Sequence, residues 1–132
     1  MRLTSIKLIF ICGILIEFSS LAESPKLKIT PLLKTTYSSD EKMEANVMKA
    51  ELPPGATTGL HFHPGDEYAT VLSGEVELRV SGAEPRVIKA GESYHNKANV
   101  VHETVNSSEQ SATILATFIT IKGKPVLIKS VK

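Results

Sequence analysis

Two histidines and a glutamate stand close together in the segment GLHFHPGDEY, residues 59–68. His61 and His63 are separated by one residue, so on a β-strand their side chains point to the same face. A Pro-Gly-Asp turn follows, and it can fold the carboxylate of Glu67 back towards that face. His102 lies on a later run that alternates like a strand. Three imidazoles and one carboxylate form a donor set that suits one divalent transition metal, Fe, Mn, Zn, Ni or Cu.

The donor set indicates a catalytic rather than a closed metal site. Four protein ligands around an octahedral ion leave two positions open, and these admit a substrate or oxygen. A lone His-X-His pair would be weak evidence, because a histidine on a strand usually serves as an ordinary polar residue. Imidazoles bind metal only when deprotonated, and free histidine titrates near about pH 6.5, so acid is expected to release the metal.

The segments that must position these residues are short, β-rich and separated by turns. About eight or nine such runs occur, with no convincing helical periodicity. The run VELRV alternates, with Val76 and Leu78 on one face and Glu77 and Arg79 on the other. EYATVL and VELRV, separated by Ser-Gly-Glu, are expected to form a hairpin. The pattern predicts an all-β fold, a sandwich or small antiparallel β-barrel.

The spacing of the histidines resembles the first motif of the cupin superfamily. That motif places a glycine, two histidines, a glutamate and a second glycine at fixed intervals, here Gly55, His61, His63, Glu67 and Gly74. The second motif is matched at its glycine, histidine and asparagine, here Gly91, His102 and Asn106. The resemblance covers roughly residues 43–121.

The second motif departs from the family pattern at one place. This chain has Lys97-Ala98-Asn99 where the motif usually carries Pro-X-Gly. Asparagine is the best substitute for glycine in the left-handed backbone conformation, so the turn is expected to survive.

The resemblance implies a cupin jelly roll, that is, a double-stranded β-helix, with His61, His63, Glu67 and His102 as metal ligands. Cupins with this ligand set include dioxygenases, oxalate-degrading enzymes, isomerases and lyases, and other members only bind ligands. The expected function is therefore a metal-dependent, dioxygenase-like enzyme acting on a small organic molecule. The alternative is a non-catalytic module that binds a small ligand.

Strand alternation also predicts the surroundings of the metal. The inward-facing set is expected to comprise Ala69, Val71, Val76, Leu78 and Thr104, a mostly apolar wall without an arginine for a carboxylate substrate. Two further residues, Tyr68 and His95, are candidates for the pocket or for support behind the ligands. Packing is favoured for Tyr68, and a structural or exposed role is favoured for His95.

The first 22 residues have the features of a secretory signal peptide. Arg2 and Lys7 precede the apolar run LIFICGILI, and Ser20 and Ala22 are the small residues that precede a cleavage site. The chain is therefore expected to be exported, periplasmic or secreted. Residues 23–42 would then form an N-terminal arm with an edge strand, and residues 43–132 the barrel domain.

Charge and cysteine content exclude several functions for the mature chain. Removal of residues 1–22 takes away Arg2, Lys7 and Glu17 and leaves 13 basic and 13 acidic residues. No basic patch remains, so neither nucleic acid nor a membrane surface is an expected partner. Cys12, the single cysteine, is removed as well, which excludes disulfides and thiol chemistry. The expected partners are a small molecule and a second copy of the chain in a homodimer.

Overall fold

The computed structural model describes Glu23 and residues 25–131, and the expected signal peptide lies outside these residues. The described residues contain no helix, and hence none that could cross a membrane. They form ten strands: β1 (Lys28–Thr36), β2 (Met43–Leu52), β3 (His61–Phe62), β4 (Asp66–Ser73), β5 (Glu75–Val80), β6 (Arg86–Lys89), β7 (Ser93–Asn96), β8 (His102–Val105), β9 (Ala112–Ile121) and β10 (Ile128–Lys129).

The strands form two five-stranded antiparallel sheets. The order is β1-β2-β9-β4-β7 in one sheet and β10-β3-β8-β5-β6 in the other. The all-β, antiparallel fold class predicted from the turn-rich pattern is therefore confirmed. The strand count exceeds the prediction because β7 has only four residues, lies between two turns and was not counted among the β-rich runs.

Strand β9 shows how the sequence builds the core. Its residues alternate between buried and partly buried positions as far as Thr120, and Ile121 at its end is exposed, so every second side chain faces the interior. It lies between β2 and β4 and pairs with β2 along its whole length, from Ala112 to Ile121. On β5 the predicted alternation is confirmed, because Val76 and Leu78 are buried whereas Arg79 is exposed. The core lies between the inner faces of the two sheets.

The hairpin expected between β4 and β5 does not form. The two strands belong to different sheets, and the chain passes from one sheet to the other at Gly74. Gly74 has a φ of 71°, and a Cβ there would lie 2.7 Å from the main-chain oxygen of Ser111. A Ser-Gly turn signal reports a reversal of the chain, but it does not distinguish a hairpin from a corner between two sheets.

Both ends of the described chain contribute edge strands. β1 pairs only with β2, at the edge of the first sheet, where the N-terminal arm was expected to place a strand. β10 pairs only with β3, at the edge of the second sheet. The C-terminal segment thus runs beside the strand that carries His61.

Candidate metal centre

The fold brings three of the candidate ligands together in the interior. His61 on β3 lies directly opposite His102 on β8, and His63 follows β3 by one residue. One ring nitrogen from each histidine lies within 4.8 Å of the others. Nitrogens bound at about 2.1 Å to one ion are at most about 4.2 Å apart. Small side-chain movements therefore suffice to bring the three nitrogens to one ion.

A main-chain carbonyl sets the tautomer of each histidine. The Nδ1 atom of His61 lies 2.7 Å from the oxygen of Gly59, and that of His102 lies 2.9 Å from the oxygen of Val100. The Nδ1 atom of His63 lies 2.6 Å from the oxygen of Val126. A carbonyl oxygen only accepts hydrogen bonds, so each Nδ1 carries the proton. Nε2 of each ring is then the nitrogen that can give its lone pair to a metal once it carries no proton.

Glu67 reaches the cluster from the other sheet. Its Oε2 atom lies 3.3 Å from Nε2 of His102 and 3.5 Å from Nε2 of His63. Asn96, its partner on β7, donates a hydrogen bond of 2.8 Å to the same Oε2. Burial would raise the pKa of Glu67, but hydrogen bonds from the Asn96 amide and from the two rings, where these carry a proton on Nε2, outweigh it and lower the pKa to about 2. The carboxylate is therefore ionised at neutral pH and available to a cation.

The unsatisfied atoms of the cluster fit a metal. Nε2 of His63 and Nε2 of His102 are buried and have no hydrogen-bond partner. Buried polar atoms without partners are uncommon in native proteins and call for an explanation. A divalent ion held by these nitrogens, with His61 and Glu67, would satisfy both atoms and balance the buried carboxylate.

The irregular loop before β8 keeps its shape without the family's usual proline and glycine. Asn99 has a φ of 62°, so the prediction of a left-handed backbone at this position is confirmed. The main-chain N–H of Asn99 donates to the oxygen of His63 at 2.8 Å. The N–H of Ala98 donates to a carboxylate oxygen of Asp66 at 2.9 Å. These bonds fasten the loop to the segment that carries His63 and Glu67.

A cavity of about 240 Å³ opens next to the cluster. Thr104 lines it, together with the three histidines and Glu67. The other residues of the expected wall are buried in the core but do not reach the cavity. The apolar wall comes mainly from β2 and β9 of the opposite sheet, through Met48, Ala50, Ile114, Ala116 and Phe118. Alternation along a strand predicts which side chains face inward. It does not predict which strands of the other sheet lie opposite the histidines.

Tyr68 and His95 lie on the outer face of the sheet, away from the cavity. Both are exposed, and their rings stack on each other with centroids 4.7 Å apart. The reason is strand alternation, since each residue is next in sequence to an inward residue, Glu67 and Asn96 respectively. The structure therefore brings neither of them to the pocket.

Two buried residues of β7 were not identified from the sequence. Asn96 holds Glu67, and Tyr94 lines the cavity two residues earlier on the same face. Burial, with the nearby charge of Glu67, raises the pKa of Tyr94, so its hydroxyl stays protonated and can donate a hydrogen bond. The alternation of SYHN, which puts Tyr94 and Asn96 on one face and His95 on the other, was the available signal in the sequence.

Acid should destabilise the metal-free protein through two of these groups. Burial lowers the pKa of His61 below 6.5, and Glu67 titrates near 2 rather than 4.5. In both cases the unfolded chain takes up the proton first as the pH falls. The free energy of unfolding, measured with urea, should therefore be highest above about pH 6.5 and fall below it. In the Glu67→Gln variant the part lost between pH 4.5 and about 2 should disappear; an unchanged slope would contradict the assignment.

Comparison with known proteins gives a family match over more than half of the chain. Residues 48–118 match the model of the cupin domain family. The chain belongs to this family, and the all-β fold and the placement of the histidines agree with that membership.

Proteins similar to this chain include a transcriptional regulator, an uncharacterised protein and an oxidase. The chain is 36% identical over 64 residues to the HTH-type transcriptional regulator PuuR of Escherichia coli K12, a match covering 48% of this chain and 34% of the regulator. An uncharacterised protein with a double-stranded β-helix domain from Klebsiella pneumoniae has a TM-score of 0.65 at 22% identity, covering 80% of this chain and 86% of that one. Oxalate oxidase in complex with the substrate analogue glycolate has a TM-score of 0.65 at 19% identity, covering 81% and 56%.

These matches define the fold but not the activity. The chain spans about a third of the length of the curated regulators it matches. The two structures are below 25% identical and therefore show the fold alone.

Proposed function

We propose that the protein is an exported, metal-binding cupin that acts as a metal-dependent, dioxygenase-like enzyme on a small organic molecule. The observation that carries the proposal is a buried cluster of three histidines, with one nitrogen of each ring within 4.8 Å of the others, and an ionised carboxylate beside an apolar cavity. Export rests on the sequence of residues 1–22 alone.

The cavity supports a small, weakly polar substrate. An engineered apolar cavity of about 150 Å³ accommodates benzene, so about 240 Å³ suits a single substituted ring or a short chain. No lysine or arginine is among the residues that line it. Besides the three histidines and Glu67, the polar groups in the lining are the hydroxyls of Tyr94, Thr58 and Thr104. A molecule with one hydroxyl or carbonyl end directed at the cluster fits this distribution.

Three groups of residues would have separate roles in such an enzyme: the ligands of the ion, the apolar wall and Tyr94. His61, His63, His102 and Glu67 would hold a divalent ion, which supplies Lewis-acid polarisation or oxygen activation when bound. The apolar wall would exclude water and strengthen the electrostatic interactions inside the cavity. The protonated hydroxyl of Tyr94 would orient the polar end of the substrate by donating a hydrogen bond.

A non-catalytic binding module is the second candidate. It is favoured by the likeness to a transcriptional regulator over 64 residues, nearly half of this chain. The described residues contain no helix, so they hold no counterpart of a helix-turn-helix motif. In this alternative the metal orients a ligand or stabilises the barrel, and the ligand leaves unchanged.

Elemental analysis followed by oxygen uptake tests the proposal. The protein is purified from its exported fraction without added metal, and its metal content is measured by mass spectrometry. The proposal expects close to one transition-metal ion per chain. Oxygen consumption is then followed with a panel of phenols and small dicarbonyl compounds.

The two candidates give different results in this experiment. Oxygen uptake that depends on both the metal and one class of substrate supports the enzyme. Bound metal without turnover, together with a small molecule recovered unchanged, supports the binding module. A protein that retains no metal under any loading condition would overturn both.

A further inference from the structure

His63 differs from the other two histidines in the origin of its main-chain partner. His61 and His102 each contact a carbonyl two residues earlier in their own segments. The partner of His63 is the oxygen of Val126, which lies 63 residues later in the chain. The orientation of His63 therefore depends on a segment beyond the residues that match the cupin family.

That segment, residues 124–130, is called the C-terminal strap here. It follows a turn at Gly123, which has a φ of 76°. Val126 and Leu127 then line the cavity. In β10 the strap pairs with β3, so that Lys129 lies opposite His61. The strap thus contacts the cavity, the ring of His63 and the strand of His61.

We propose that the C-terminal strap positions His63 for metal binding through the main-chain carbonyl of Val126. The inference rests on the proposed function, since it assumes that the cluster binds a metal. With the carbonyl in place, the proton of His63 is held on Nδ1 and the lone pair on Nε2 faces the cluster. Without it, the ring is free to turn and to carry its proton on Nε2, and that nitrogen then cannot bind a metal. Val126 is therefore a positioning residue.

The strap is held by few bonds and can be released without unfolding the sheets. β10 has two residues and pairs only with β3, whereas β2 and β9 pair over ten residues each. One further hydrogen bond, from the N–H of Ser130 to the oxygen of Leu60 at 3.0 Å, extends the ladder. Edge segments with so few bonds open more readily than central strands.

The register of this ladder provides a matched pair of variants. In antiparallel pairing, hydrogen-bonded residue pairs alternate with non-bonded ones. Because Ser130 donates to Leu60, the pair Ile128–Phe62 is also of the bonded type, and the N–H of Lys129 points away from β3. Ile128→Pro therefore removes a ladder bond, whereas Lys129→Pro removes none. Ile128→Ala controls for loss of the side chain.

Titration of the full-length, metal-free protein with Zn²⁺ alone is the first measurement. Ile128→Pro should weaken Zn²⁺ binding by about 10–100-fold, the usual effect of removing a group that orients a metal ligand. Lys129→Pro and Ile128→Ala should bind Zn²⁺ like the wild type. Equal affinities of Ile128→Pro and Lys129→Pro would overturn the inference.

A second measurement does not depend on metal. The ¹⁵N NMR shifts of the imidazoles in the metal-free protein report which nitrogen carries the proton. His63 should be a single Nδ1–H tautomer in the wild type and in Lys129→Pro, and a mixture in Ile128→Pro. A single tautomer in all three would overturn the role of the strap. If the wild type bound no metal, the proposed function would be wrong. The tautomer comparison would still decide whether the strap orients His63.

Should Ile128→Pro not fold, the comparison moves one bonded pair along the ladder. Ser130→Pro removes the hydrogen bond to Leu60, and Val131→Pro, at an exposed neighbour, is its control. Weaker Zn²⁺ binding and a mixed His63 tautomer in Ser130→Pro alone support the inference. Equal behaviour of these two variants overturns it.

Discussion

Replacing His61 by alanine should remove nearly all bound metal, whereas replacing His95 should leave the metal content unchanged. His61 is buried in the cluster with its Nε2 available, but His95 is exposed on the outer face beside Tyr68. Removing even an outer partner of a metal ligand costs about 10–100-fold in affinity, so loss of a ligand should cost more. Metal content after purification and Zn²⁺ affinity are the measurements.

The two histidine variants also separate loss of metal from loss of fold. Each removes one imidazole, and the circular dichroism of the metal-free forms should show that the sheets remain. The wild type should gain thermal stability when metal is added, because a ligand that binds only the folded state stabilises it. His95→Ala should gain as much, and His61→Ala should gain little. Equal metal loss in the two variants would show that the buried cluster is not the binding site.

The placement of His61, His63 and Glu67 was accessible to sequence reasoning because it depends on local rules, whereas His102 was assigned to the cluster by the resemblance to the cupin motifs. Two histidines at positions i and i+2 of a strand must share a face, and a turn after them returns the chain towards the same interior. The left-handed Asn99 follows from the conformational preference of asparagine. The antiparallel, all-β class follows from short alternating runs. None of these inferences requires knowledge of distant contacts.

The parts that sequence reasoning missed depend on contacts between distant segments. The turn at Gly74 joins two sheets instead of two strands of one hairpin, because the steric fit against Ser111 is formed only in the folded chain. Asn96 supports Glu67 only because β7 pairs with β4 in one particular register. The carbonyl of Val126 has no side-chain signature at all, so its bond to His63 cannot be read from residue types.

Filling the cavity should abolish substrate binding and leave the metal in place. Ala116 lies on β9 opposite Met48, and both line the apolar wall. In Ala116→Phe the ring would occupy space that a small substrate needs. Overpacking of this kind lowers the folding free energy by about 1–3 kcal/mol. Because the ring takes the place of the substrate, substrate affinity should fall by at least about 100-fold, or about 2.8 kcal/mol of binding free energy. Metal content should stay at the wild-type level, because no ligand of the cluster is altered.

Leu115→Phe is the matched control for this prediction. Leu115 is the preceding residue of β9, and strand alternation turns its side chain to the outer face, where it lines an open surface groove and not the cavity beside the histidines. It should bind metal and substrate like the wild type. Loss of turnover or ligand binding in Ala116→Phe alone, at full metal content, would place the substrate in the apolar cavity. If Ala116→Phe retained full activity, the substrate would have to approach the metal from another side, and the size limit inferred from the cavity would not apply.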